Sequence, residues 1–444
     1  MATGKAPQPT YAEITRDIAA TLGNPGKGYY ALLTTAVVLF LAGAITVLLE
    51  VRYGLGLAGY RTPVFWGVYI TTFVFWVGIA HSGTLISAIL YLFRSAWRTA
   101  VYRTAEAMTV FAVLTAGLFP LIHVGRMWYA YWLIPYPNQR QLWVNFKSPL
   151  IWDVFAVSTY LTVSTLFLMV GLIPDIASLR DKATGWRKKL YQATALGWRG
   201  TDQQWRHYTK AYMYMAALAT PLVLSVHSVV SWDFAMAIVP GWHATIFAPY
   251  FVAGAIYSGV AMVITLLVPI RKVFKLERYI HEDHFENLSK LMLLTGMIVA
   301  YAYVTEYFIA WYSGNPFEQA SFWNRAFGDY WWATWTMLIC NGLLPLFLWS
   351  RKIRRSIPAL FVLSLFVNLG MWFERFVIIV VSLSFEYEPY AMGHYSATWA
   401  DWLVLSGSFG WFFMWFLLFA KNFPTVSITE VKEVIPMPRK GGAH

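Results

Sequence analysis

Apolar runs of about 20 residues recur along the whole chain, each long enough to cross a hydrocarbon core of about 30 Å as a helix. Ten are expected, near residues 30–50, 64–93, 104–124, 149–173, 211–231, 244–270, 288–312, 330–350, 358–383 and 401–420. Inside lipid the backbone must satisfy its own hydrogen bonds. The chain is therefore predicted to be an all-α integral membrane bundle. The second and ninth runs are the long ones, which predicts tilt or protrusion there. Only 13% of residues are charged, against about 25% in soluble domains.

The net charge of +12 raises the question of nucleic acid. Its distribution answers it. With ten spans, one side of the membrane receives 26 of the Lys and Arg residues and the other receives 6. By the positive-inside rule both termini are cytoplasmic and the basic charge is topological. The N-terminal segment carries acids and has no early apolar core, so it reads as a cytoplasmic tail and not as a signal peptide. The C-terminal segment ITEVKEVIPMPRKGGAH reads as polar and extended. The basic connection 174–210, with its GWRKKL core, reads as solvated or lying along anionic headgroups, with a docking surface as the alternative.

Gly78-Ile-Ala-His81-Ser-Gly83 in the second span is echoed by Gly254-Ala-Ile-Tyr257-Ser-Gly259 in the sixth, at an offset of 176. A similar offset matches Leu114-Thr115 with Leu294-Thr295. One reading is a parallel repeat of two four-helix bundles, spans 2–5 and 6–9, flanked by spans 1 and 10. The other is close helix packing through small residues. The expected organisation is a tail over 1–29, a transmembrane domain over 30–420 with bundles at 63–235 and 243–384, and a second tail over 421–444.

Cys340 is the single cysteine. It forms no internal disulfide, cannot alone hold an iron–sulfur cluster, and belongs to no c-type haem motif. The span histidines sit at mixed depths, so paired haem ligands are not expected. His281 and His284 fall in a charged loop that reads as solvated. No haem, cluster or metal is expected in this chain.

Ionisable residues in membrane spans are costly, and are functional candidates by default. His123, Arg126, Asp153, His227, Asp233 and His243 gather at one membrane edge, the outer one by the charge count. His123 and Arg126 share a helix face. Such a group suits oxidation of a lipid-soluble quinol, whose hydroxyls lose two protons as two electrons leave. A base with a pKa near working pH accepts one of them best, and histidine starts near 6.5. Trp128, Tyr129, Tyr131, Trp132 and Trp152 are candidate walls of a head-group pocket. The plain alternatives are an interfacial histidine, a helix N-cap at Asp153 and an ordinary aromatic belt. A deeper set comprises His81, Glu306, Glu374 and Glu106. It serves either interhelical hydrogen bonding or a proton path. Glu374 and Arg375 point about 100° apart, so no direct pair on one face is implied.

The stretch HVGRMWYAYWLIPYPNQRQLWVNFKSPLIWDVFAVSTY, from His123 to Tyr160, resembles the corresponding loop of the larger NrfD/PsrC-like membrane subunits. The likeness is closest to the ActC branch in bacterial alternative complex III, and the ten-span plan agrees over nearly the whole chain. The resemblance implies a menaquinol-binding subunit in a bacterial cytoplasmic membrane, without a redox cofactor of its own. His123 and Asp153 match the family's quinol-site residues, with Arg126 alongside; Asp233 and Glu374 transfer less directly. Implied partners are an extrinsic iron–sulfur subunit, c-type haem subunits, a paralogous ActF-like membrane subunit and a terminal oxidase. Rival readings are the membrane anchor of a polysulfide-reductase-type molybdoenzyme, a secondary transporter and a structural scaffold. A transporter should show spans broken at equivalent places in both halves, and no Gly/Pro interruption of that type stands out.

Overall fold

The computed structural model describes residues 9–23, 25–134 and 146–434. The centre of the Pro-rich loop (135–145) and the ends at 1–8 and 435–444 lie outside them, so part of the stretch that carries the resemblance is not described. Among the described residues every regular element is helical, and the one β feature is an isolated bridge between Arg61 and Val64.

Fifteen α-helices follow in order. They are α1 (Tyr11–Ala20), α2 (Lys27–Tyr53), α3 (Val68–Leu92), α4 (Tyr102–His123), α5 (Pro149–Arg180), α6 (Gly185–Thr194), α7 (Asp202–Ala235), α8 (Phe247–Val273), α9 (Glu282–Tyr312), α10 (Pro316–Phe327), α11 (Trp331–Met337), α12 (Arg351–Arg354), α13 (Ile357–Phe376), α14 (Trp399–Asn422) and α15 (Ile428–Val434). Among the described residues ten segments are long and apolar enough to cross a membrane: α2, α3, α4, α5, α7, α8, α9, the stretch Trp331–Trp349 that α11 opens, α13 prolonged to Val381, and α14. The chain is a multi-pass membrane protein.

The long helices are not the expected ones. The second and ninth spans are 25 residues each, whereas α5, α7 and α9 run to 32, 34 and 31. Gly67 caps α3 and holds residues 64–67 out of the helix. The longer helices gain their extra turns at polar ends, such as Asp202–Lys210 and Glu282–Ser289, which carry charge beyond an apolar span.

The packing explains the small residues. α3 is buried on every side from Val68 to Ala88, and its closest neighbours are α4, α8 and α7. A Cβ on Gly83 would fall 2.1 Å from the Ala105 carbonyl oxygen of α4. A Cβ on Gly259 would fall 1.5 Å from Ser82 Oγ, and one on Gly78 would meet Ser258 Oγ at 3.5 Å. The two G-x-x-aromatic-S-G motifs thus face each other across the α3–α8 contact. Close packing accounts for them physically. α3, α4, α5 and α7 touch in a cycle, and α8 packs on α9 and α13. α2 and α14 pair with each other against α4.

The eighth span changes character along its length. It starts as α11, loosens to a π-turn over Leu338–Leu343, and tightens to 3-10 over Leu344–Trp349. Pro345, which lacks an N–H, falls in the tightened part. The repeat reading pairs this span with α5, which is α-helical throughout Pro149–Arg180.

The segments expected as loose tails are structured where described. α1 opens with a capping box between Thr10 and Glu13 and buries Ile14 and Ile18. α15 is helical, not extended: it buries Ile428, Glu430 and Val431. Glu430 pairs with Arg98, both nearly fully buried. In the basic connection, Arg187 of α6 donates to the Leu22 carbonyl at 2.6 Å, and the Tyr191 hydroxyl donates to the Asn422 carbonyl at 2.6 Å. That connection is docked on neighbouring chain ends, with Trp186 left exposed.

Candidate functional site

α4 ends at His123 because Gly125 follows with φ +76°, a left-handed turn that glycine adopts without strain. Across the membrane edge Ser148 caps α5 and Pro149 takes its first position. Asp153 therefore lies in the second turn and is not the cap. On α5, Leu150, Asp153, Val154 and Val157 follow helical spacing and present one face. Those residues meet Pro120, His123 and Val124 of α4, Ile70, Phe73 and Val74 of α3, and Asp233 and Phe234 of α7. Trp66 and Leu133 complete the lining of a cleft that encloses about 840 Å³, its open mouth included.

Among the described residues the cleft carries three ionisable groups on an otherwise largely apolar lining. Asp153 is buried, with Oδ1 unpartnered among the described residues, and Asp233 Oδ1 is likewise unpartnered. The two carboxyls are near enough to interact directly. His123 accompanies them on the lining, and its Nδ1 lies 3.3 Å from the Tyr60 hydroxyl. His123 and Asp153 thus share the cleft, but their direct partners are Tyr60 and Asp233 respectively.

Other residues of the expected group fall elsewhere. Arg126 and Trp128 are exposed and do not line this cleft. Among the described residues the aromatic walls are Trp66, Phe73 and Phe234, and Trp128, Tyr129, Tyr131, Trp132 and Trp152 are not on the lining. No pattern in one sequence marks these three, since each is an ordinary apolar residue in an apolar run. His243 lines two separate clefts, one shared with Glu306 and Glu318.

His227 is deeper than expected. Its ring meets that of His81 with centroids 4.7 Å apart, and His81 stacks on Tyr160 at 4.5 Å. His81 Nδ1 bonds the Val77 carbonyl, leaving Nε2 unpartnered, as are both ring nitrogens of His227. Below them runs a hydroxyl-rich face of α3. Thr84 Oγ1 donates to Ser164 Oγ at 3.2 Å, and Ser87 Oγ donates to Glu106. Tyr212 also donates to Glu106, at 2.8 Å, and Arg98 Nη1 donates to the Tyr212 oxygen at 3.5 Å. His81 and Glu106 thus belong to one polar column in the α3–α4–α5–α7 group.

Glu374 and Glu306 form a second set. Glu374 accepts from Tyr303, whose oxygen also receives Asn341 Nδ2 at 3.0 Å. Helix geometry does not by itself imply a pair, but Glu374 and Arg375 do meet, Oε1 to Nη1 at 2.9 Å. Long side chains curl back where a 100° separation of Cα positions would keep short ones apart. The Arg375 guanidinium lies 4.3 Å from the Phe251 ring centroid, and that ring is 5.8 Å from His227.

Known proteins bear on this geometry. The sequence profile described as "Polysulphide reductase, NrfD" matches residues 56–385. A putative membrane subunit of a dimethyl sulfoxide reductase from Halobacterium salinarum is 28% identical, over 81% of this chain and 78% of its own length. A selenate reductase subunit from Mesobacillus selenatarsenatis is 21% identical over 77% and 79% respectively. An Hdr-like menaquinol oxidoreductase integral membrane subunit of Archaeoglobus fulgidus is 19% identical over 92% and 96%. The profile spans the described walls of the cleft, α3, α4, α5 and α7, and well over half of the chain: the protein belongs to the polysulphide reductase NrfD family.

Proposed function

We propose that this chain is the quinol-binding membrane subunit of a respiratory oxidoreductase complex. The observation that carries the reading is the convergence of His123, Asp153 and Asp233, from three helices, on one apolar cleft. A flat aromatic ligand with two hydroxyls needs such walls and such proton acceptors. His123 accepts or hydrogen-bonds one hydroxyl proton. Asp153, beside Asp233, takes a proton onward. The quinol loses two protons and two electrons to become a quinone, and the electrons pass to an iron–sulfur cluster in an extrinsic partner subunit.

Menaquinol is the proposed substrate, supported by the name of the Archaeoglobus relative. The setting is a bacterial cytoplasmic membrane with both termini cytoplasmic and the cleft at the outer edge. In the complex III-like reading, c-type haem subunits, an ActF-like paralogue and a terminal oxidase complete the assembly. The names of the two reductase relatives favour a second reading, in which the same site feeds electrons to a molybdoenzyme. Identifying the catalytic subunits that co-purify separates the two. The secondary-transporter reading fits less well, because the eighth span and the end of the ninth leave the α form while α5 and α7, their counterparts in the repeat reading, are continuous α-helices.

A menaquinol analogue should bind saturably to the detergent-purified complex, and His123→Ala should abolish that binding. Equal binding in both forms would move the site elsewhere.

Proton conduction belongs to the same proposal. His81 and Glu106 would carry protons through the first helix group, with Glu374 and Glu306 as a second set. Glu106→Gln and His81→Ala complexes that still turn over in proteoliposomes should then show fewer protons carried across the membrane per quinol oxidised. An unchanged ratio assigns the column to packing alone.

A further inference from the structure

His123 has a neighbour that the quinol reading leaves unused. Tyr60 stands in the connection between α2 and α3, and its hydroxyl lies 3.3 Å from His123 Nδ1. The rings meet edge to face, with centroids 5.6 Å apart and planes at 74°. Two further tyrosines flank it. Tyr69 meets Tyr60 edge to face at 5.7 Å, and Tyr395 lies at 6.5 Å.

These three phenols are committed differently. Tyr69 donates to Glu50 on α2. Tyr395 donates to Asp401 Oδ1 at 2.9 Å and accepts the Val68 N–H at 3.2 Å. Tyr60 has one hydrogen-bond partner among the described residues, and it is His123.

The backbone under Tyr60 is pinned. The Gly59 N–H donates to Asp401 Oδ2 at 2.9 Å, a buried bond. Asp401 Oδ2 also receives the Thr398 N–H at 2.8 Å, so the carboxylate itself is fixed at the start of α14. A Cβ on Gly59 would lie 2.1 Å from the Ser396 carbonyl oxygen. Tyr60 is therefore held by its ring neighbours and by its preceding residue, and its hydroxyl has little freedom.

Either atom can donate in this bond, but the Tyr60 hydroxyl has no other acceptor among the described residues, so only donation to Nδ1 uses the proton of this half-buried phenol. Burial raises the Tyr60 phenol well above the usual tyrosine value, and Tyr395, Asp401 and Glu50 push the same way, so it keeps its proton and has one to donate. A ring nitrogen that accepts a hydrogen bond leaves the proton of the neutral imidazole on the other nitrogen.

We propose that Tyr60 is a positioning residue for His123, fixing the proton on Nε2 so that the ring donates a hydrogen bond to the quinol oxygen. The inference rests on the quinol-site reading and sharpens it. The acceptor of the hydroxyl proton is then the Asp153–Asp233 pair, and the ring holds the oxygen in place while the proton leaves.

The experiment compares Tyr60→Phe and His123→Ala in the purified complex, measuring quinol oxidation, menaquinol-analogue affinity and thermal melting. Phenylalanine keeps the ring contacts and removes only the donor. The expected result is a fall of about tenfold in kcat for Tyr60→Phe, with KM and analogue affinity within about threefold and the melting temperature unchanged, while His123→Ala is inactive. A purely structural role would move melting and leave the turnover of the folded fraction alone. An inactive His123→Ala beside a Tyr60→Phe of wild-type kcat would overturn the positioning role and leave the quinol site standing. Wild-type turnover in His123→Ala would remove the quinol-site reading, and the role of Tyr60 with it.

Discussion

Asp153→Asn is expected to slow quinol oxidation by about 10²- to 10⁴-fold, the range over which a positioned acid or base contributes. Asparagine keeps the shape of the side chain and its place on α5, so the cleft should survive. What it lacks is a site that takes a proton and gives it up again. Asp153 interacts directly with Asp233, and both line the cleft with His123. Asp233→Asn should therefore lose activity too, and the double variant should lose less than the two single losses combined, because groups acting as a unit are not additive. Steady-state turnover of the three complexes, with co-purification checked, measures this. Wild-type turnover in Asp153→Asn would take the residue out of the mechanism.

The second large effect concerns stability. Arg103 of α4 and Asp175 of α5 pair at 3.0 Å, and neither side chain is exposed at all. Removing one member of a buried pair leaves the other charge without compensation, at a cost of about 3–5 kcal/mol. Asp175→Ala should lower the melting temperature of the complex in detergent sharply. Part of the loss is softened, since Arg103 also donates to the Gly171 carbonyl at 2.7 Å and to the Tyr102 oxygen at 3.0 Å. Part is added, since Asp175 Oδ1 accepts the Thr429 N–H at 2.9 Å at the start of α15. The double replacement Arg103→Met with Asp175→Leu should melt closer to wild type than Asp175→Ala. If Asp175→Ala alone melts like wild type, the pair does not stabilise the fold.

The spans were legible because lipid imposes a length and a composition on each of them. Their ends were less so: polar turns such as Asp202–Lys210 continue α7 beyond the apolar run that marks it. At the site, His123 and Asp153 stood out as ionisable residues at span ends, and the cleft does hold both. The walls could not be read. Trp66, Phe73 and Phe234 come from separated parts of the chain, and nothing local distinguishes a phenylalanine that faces a ligand from one that faces lipid. Tyr60 escaped for a related reason. It precedes His123 by 63 residues, and only the folded connection brings the two together. The docking of α15 was missed because its buried partners, Arg98 and Asp175, lie hundreds of residues earlier, where composition alone gives a polar tail.

The pairing of α2 with α14 constrains how the chain is made. A Cβ on Gly43 would sit 2.7 Å from the Gly407 Cα, and one on Gly410 would sit 2.4 Å from the Phe40 backbone nitrogen, so these helices touch backbone to backbone. The ribosome delivers α2 first among the ten spans and α14 last. During synthesis α2 must wait in the bilayer, with a groove of small residues open to lipid or to an insertion factor, until eight further spans have been threaded. The contact closes only once α14 has been made, so a chain stalled before Trp399 leaves that flank of α2 unsealed.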